Sequence, residues 1–298
     1  MGGGGYSLHT RSMRAVSDGY YDKPISQTFS QRKIHKEMRP KGVILRESRD
    51  SAEHPNSVPI IIALDLTGSM GAVPGHLVKD GLPHMVSAII DAGIADPQIL
   101  FIGVGDHETD KAPLQVGQFE SSDKLIDKWL TSTYLEGGGG ANEGESYHLA
   151  WFFAERYTEH DSLIKRGKKG FLFTIGDEPT LKNLPASAQK AIMGDQGQYS
   201  DETADSLLEK AREKYNIFHI HISETWAGSI TGTRDGWQQI LGDNLIVAQK
   251  HSDVPSIISS IVTRGGNEKS EVPNIVSDNT EDSEILDIPK KNKPGMML

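Results

Sequence analysis

Six stretches of this chain have the length and apolar character of β-strands. Residues 58–66, 97–104 and 169–175 are near-continuous apolar runs, the pattern of strands covered on both faces. Residues 113–119 alternate in polarity and predict an edge strand antiparallel to its neighbour. Residues 217–223 and 245–248 complete the set. Between these runs the apolar positions recur at helical spacing. They predict helices over 75–92 (Leu77, Val78, Leu82, Met85, Val86, Ile89, Ile90) and 121–130 (Leu125, Ile126, Trp129, Leu130). Tyr147, Ala150, Trp151 and Ala154 mark a third helix, and residues 201–215 a fourth with Leu207, Leu208, Ala211 and Tyr215 inward. Residues 233–241 and 253–263 follow, the last with Pro255 in its first turn. Residues 181–193 show no regular pattern. The alternation predicts an α/β domain: a doubly wound, mainly parallel six-stranded sheet with helices on both faces and one antiparallel edge strand. Ligands of such sheets bind beyond the carboxyl ends of the strands, near the switch point.

Three loops at that edge carry candidate chemistry. The first strand ends in Asp65, Thr67 and Ser69, spaced at i, i+2 and i+4. A loop folding over the strand end can turn their oxygens toward one point, and oxygen donors with little charge suit a hard cation, Mg²⁺ above all. The same residues also fit a glycine-rich turn whose hydroxyls cap the next helix. The second loop, 135–145, holds four consecutive glycines followed by Asn142, Glu143 and Glu145. It lacks the Gly-Lys-Ser/Thr ending of a phosphate-binding loop. Glu145 reads as dipole complementation in a first helical turn, while Glu143 fits that role and a ligand role equally. The third loop follows 169–175 and presents Asp177, a metal ligand or a helix N-cap. Two further features are weaker. His219 and His221 share one strand face, which suits a transition metal or, more simply, packed core histidines. Asp106 ends the second strand and reads first as part of a solvated turn.

Asp65-Leu66-Thr67-Gly68-Ser69 resembles the D-x-[S/T]-x-S signature of von Willebrand factor type A (vWA) domains, and the resemblance spans 58–265. It implies the strand order 3-2-1-4-5-6 and a metal-ion-dependent adhesion site of the intracellular bacterial or phage type. That strand order would place Asp106 near the metal as a supporting group. Thr67 and Ser69 would bind the metal directly, Asp65 and Asp177 directly or through water, with Asp177 matching the G-D-x-P form of the third loop. The family's second-loop threonine falls on Ala141, which has no side-chain oxygen, so Asn142, Glu143 or water would stand in. Mg²⁺ is the implied metal, with Mn²⁺ and Ca²⁺ as alternatives. The implied function is a metal-dependent protein-binding module, an adaptor or assembly factor that captures a partner's Glu or Asp, with an AAA+ ATPase as the partner that the resemblance suggests. The alternative is a hydrolase using the same acids to activate water, with His107 or Glu143 as base. No nucleophile–base pair is legible.

Composition narrows this further. The 298 residues carry a formal net charge of −10, which argues against general nucleic-acid binding. With no cysteine, disulfides and thiol-ligated zinc are excluded. No signal-peptide core or membrane span is present, so a cytoplasmic protein is expected. Residues 1–56 form a basic, partly ordered arm (Arg11, Arg14, Arg32, Lys33, Lys36, Arg39, Lys41), 57–266 the vWA-like domain, and 267–298 an acidic, mostly disordered tail.

Overall fold

A computed structural model of the chain describes residues 5–17, 23–137 and 144–265. Its centre is a six-stranded sheet. In chain order the strands are β1 (Val58–Asp65), β2 (Pro97–Val104), β3 (Leu114–Val116), β4 (Gly170–Gly176), β5 (Tyr215–Ile222) and β6 (Leu245–Ala248). Their spatial order is β3-β2-β1-β4-β5-β6. All pairs are parallel except β2–β3, where Ile102 faces Val116. This is the order 3-2-1-4-5-6, and the fold is vWA-like.

The helices used below are α1 (Leu8–Ser17), α2 (Leu82–Asp91), α3 (Asp123–Thr131), α4 (His148–Tyr157), α5 (Ala186–Met193), α6 (Ala204–Arg212), α7 (Thr231–Leu241) and α8 (Val254–Thr263). Alternate residues of β1 explain its unbroken apolar run. Ile60, Ile62 and Leu64 face a core shared with α2 and α8; Ile61 and Ala63 face one shared with α4 and α6. Every side chain from Ile60 to Leu64 is buried.

Several local expectations are corrected. The helix expected over 75–92 is interrupted: the chain makes a wide π-helical turn over Leu77–Gly81 before α2 begins. Pro83 supplies the reason. It has no N–H to donate to the carbonyl of Lys79, four residues back. That carbonyl instead accepts from the guanidinium of Arg11, at 2.9 Å, reaching across from α1. The helix expected over 201–215 is only α6, capped by Thr203, and Tyr215 opens β5. The stretch 181–193 contains α5 and a short strand pairing with Glu202–Thr203. Residues of the basic arm enter the packing: Phe29 and Met38 are buried in the α2-side core, and Arg46–Ser48 pairs in parallel with Thr158–His160. Among the described residues no helix is long and apolar enough to cross a membrane.

Candidate cation site

The site is built where β1 and β4 end side by side, Leu64 opposite Ile175. One residue beyond Leu64 is Asp65; two beyond Ile175 is Asp177. Both carboxylates therefore emerge at the same sheet edge, and both are buried. Asp65 Oδ1 accepts from the backbone N–H of Thr67 at 2.8 Å and from its hydroxyl at 2.6 Å. This is an Asx-type turn, which folds the loop back over the strand end. Thr67 Oγ1 lies 3.2 Å from Ser69 Oγ, and Ser69 donates to Asp177 Oδ1 at 2.9 Å. Asp65, Thr67, Ser69 and Asp177 are thus one linked group of oxygens. Asn142, Glu143 and Ala141 lie outside the described residues.

Electrostatically the pair is poised against ionisation. Burial, and then the charge of Asp177, pushes the Asp65 carboxyl up to about 7. Burial also raises Asp177, opposed by the nearby hydroxyls of Thr225 and Ser69. Asp177 Oδ2 is buried and has no hydrogen-bond partner of ordinary geometry. Thr225 Oγ1 lies near that carboxyl but is committed elsewhere, accepting from Gly228 N at 3.0 Å and turning to Ile222 O at 3.5 Å. Among the described residues no three His, Cys, Asp or Glu side chains form a metal cage. A cation here would draw on two carboxylates and on hydroxyls. That donor set fits a small hard cation: it is all oxygen, one buried carboxylate oxygen is unsatisfied, and both acids gain from a positive neighbour.

Two residues read otherwise from the sequence belong to this site. Tyr147, expected as a core position, donates its phenol to Asp65 Oδ2 at 2.5 Å and accepts from Glu178 N at 3.4 Å. Gly176 makes that possible, because a Cβ there would lie 1.9 Å from the phenol oxygen. Glu145, expected in a first helical turn, precedes α4 in an extended segment instead. Its N–H donates to Pro179 O at 2.8 Å and its carbonyl accepts from Leu181 N at 2.9 Å. The side chain is 3% exposed, and Oε2 has no partner. Burial, then the charge of Asp65, pushes its carboxyl up to about 10.

The remaining candidates are tied down. Asp106 is buried and caps its own turn, accepting from Glu108 N at 2.9 Å and Thr109 Oγ1 at 2.7 Å. His107 Nδ1 lies 2.7 Å from Ser146 Oγ, an oxygen–imidazole pair absent from the sequence pattern. Ser146 is fully buried, however, and its hydroxyl also accepts from His107 N. The contact fastens two loops. His219 bonds Thr174 Oγ1 at 2.9 Å and stacks on Trp237 at 3.6 Å, while His221 bonds Gly228 O at 2.8 Å. Burial lowers the pKa of both rings, and they act as packed core histidines.

No family model matches the chain, and no curated protein matches it. Among solved structures it is similar to the vWF domain of the type V pili tip protein Mfa5 from Porphyromonas gingivalis. There the identity is 11%, the coverage 72% of this chain and 98% of that one, and the TM-score 0.48. It is also similar to the pilus adhesin SpaC from Lactobacillus rhamnosus GG, at 12% identity, 74% and 31% coverage and TM-score 0.48. A third is proximal thread matrix protein 1 from the mussel byssus, at 10% identity, 71% and 48% coverage and TM-score 0.47. The likeness spans less than two thirds of the SpaC and mussel chains.

Proposed function

We propose that this chain is a cation-dependent protein-binding module. The observation that carries the reading is the orphaned Asp177 Oδ2, buried beside a linked set of oxygens whose carboxyls are held toward protonation. A divalent cation would relieve both conditions at once. Asp65, Thr67, Ser69 and Asp177 would hold it, with Mg²⁺ the first choice for an all-oxygen set and Mn²⁺ and Ca²⁺ as competitors. When bound, the cation supplies an electrophilic position that an external carboxylate can occupy. Two carboxylates on the chain leave such a position unfilled more readily than a full acidic cage would. The partner is a protein that presents Glu or Asp, and AAA+ ATPases are the class to try first.

The hydrolase reading finds less support. His107 is engaged with buried Ser146, and Glu143 lies outside the described residues. Calorimetric titration of the EDTA-treated full chain with Mg²⁺ tests the proposal. One site that vanishes in Asp65→Asn is expected, and heat-free titration of the wild type refutes it.

A further inference from the structure

The loop between β5 and α7 presents a surface that the cation site does not use. Trp226 is 84% exposed. Of the four tryptophans, the other three, Trp129, Trp151 and Trp237, are buried. The loop that holds Trp226 outward is closely bonded. Ser223 N donates to Ala248 O at 3.0 Å, Ser229 N to Thr225 O at 3.1 Å, and Ile230 N to Ala227 O at 3.1 Å. The Ser229 hydroxyl donates to the carbonyl of Trp226 itself at 2.7 Å. Gly228 is required here, since a Cβ would meet Ile222 O at 1.8 Å. A tryptophan held outward by a loop this well fastened leaves a large apolar ring in water, an area open to burial by a partner.

Its neighbours supply the chemistry. Thr225, one residue before it, lies against the Asp177 carboxyl. Ile230, in the same turn, is 46% exposed. Arg234 follows in the first turn of α7. Its Nε is buried without a partner, its NH2 reaches only Thr231 Oγ1 at 3.5 Å, and it makes no ion pair among the described residues. His221 pairs in register with Gly176 at the end of β4 and bonds Gly228 O at 2.8 Å, so the turn that carries Trp226 and Ile230 is fastened beside the cation site, and the charge of Arg234 reaches the same ring. On a chain of net charge −10, an arginine with no ion pair among the described residues is a local attraction for acids.

We propose that Trp226, Ile230 and Arg234 form the specificity surface of the site, receiving a partner segment in which a carboxylate is flanked by a bulky apolar side chain and a second acid. This rests on the cation reading. The first carboxylate completes the cation, the apolar side chain covers Trp226 and Ile230, and the second acid pairs with Arg234.

The test is selection of a displayed library of random short peptides on the full chain in Mg²⁺. Selected peptides should pair an acid with a large apolar residue, and their binding should shift tryptophan emission to the blue, since only Trp226 is solvent-exposed. Trp226→Ala should weaken the best peptide tenfold or more with Mg²⁺ affinity unchanged. Arg234→Gln should weaken it about fivefold and erase the preference for the second acid. Peptides without the acid–apolar pair, no selected peptides at all, or undiminished binding to Trp226→Ala would overturn the proposal. A dimer that Trp226→Ala dissociates would also overturn it, naming a second copy as the occupant. Equal binding in EDTA and Mg²⁺ would refute the cation reading alone, and a loss in Trp226→Ala would then still uphold the surface.

Discussion

Replacing Asp65 by Asn should stabilise the metal-free protein, and the size of the effect follows from the site. The Asp65 carboxyl titrates at about 7 when folded, against an ordinary value of 3.8. A raised folded pKa means that the stability this group provides is complete below the unfolded value and is lost as pH rises through the folded one. At about pH 8 the loss is complete, and the difference of about three units corresponds to about 4 kcal/mol. Asn removes that loss but keeps an oxygen for Thr67 N and Oγ1, while its amide faces the phenol of Tyr147. The amide NH2 now meets a phenol that had donated to Oδ2, and the buried donor left without an acceptor takes back about 2 kcal/mol. The net gain of about 2 kcal/mol corresponds to roughly 4–8 °C for a domain of this size. The assay is calorimetric melting of both proteins in EDTA, from about pH 5 to about pH 8. The wild type minus Asn difference cancels the titrations that the two proteins share and leaves Asp65 together with the acids it repels. It should fall steadily as pH rises, and Mg²⁺ should reverse it by stabilising only the wild type, by about 2.7 kcal/mol at a hundredfold excess over Kd. A difference that is flat with pH, or an Asn variant that melts below the metal-free wild type at the alkaline end, would show that Asp65 is not held against ionisation.

Two other substitutions probe the groups around it. Gly176→Ala places a methyl against the Tyr147 phenol and should lower stability by about 2–4 kcal/mol in urea unfolding, together with weaker Mg²⁺ binding; an unchanged midpoint would mean that Tyr147 can move away freely. Glu145→Gln should raise stability at neutral pH in EDTA by about 3 kcal/mol, because a carboxyl raised from 4.5 to about 10 loses stability continuously over that span as pH rises. The gain should be less than additive with Asp65→Asn, since the charge of Asp65 is part of what raises Glu145, and strict additivity in a double-mutant cycle would refute that coupling.

The fold was legible because β1, β2 and β4 are covered on both faces, which turns burial into unbroken apolar runs, β-branched in β1 and ended by glycines and acids, that alternate along the chain with amphipathic helical patterns. The first half of the site was legible for a similar reason. The Asp65–Thr67–Ser69 turn is made within five residues, so the spacing along the chain is the spacing in space. Its second half is made by pairings that no local pattern encodes. Glu145 lies near a helix in the sequence, and acids near helix starts are usually explained by the dipole; here the carbonyl of Pro179 takes its N–H and draws the segment out straight. Tyr147 was correctly placed inside, but an apolar periodicity marks the ring and is silent about where the hydroxyl goes. The interruption over Leu77–Gly81 shows the same limit: Pro83 announces a missing donor, yet only the arrival of Arg11 from α1 decides what satisfies Lys79 O.

These non-local pairings converge on one consequence. Gly144 and Gly176 flank the site, and at each a Cβ would collide, with Pro179 O at 2.5 Å and with the Tyr147 phenol at 1.9 Å. Both glycines serve to bring the segment before α4 close against the loop after β4, and that approach buries Glu145 and aims Tyr147 at Asp65. The glycines are visible in the sequence as loop residues; their purpose is visible only once the partner loop is in place. A site assembled this way keeps its acids dry and mutually repelled. That arrangement lowers the stability of the bare protein and strengthens its hold on whatever positive charge arrives, so the destabilisation that Asp65→Asn should relieve and the affinity that it should abolish have one physical origin.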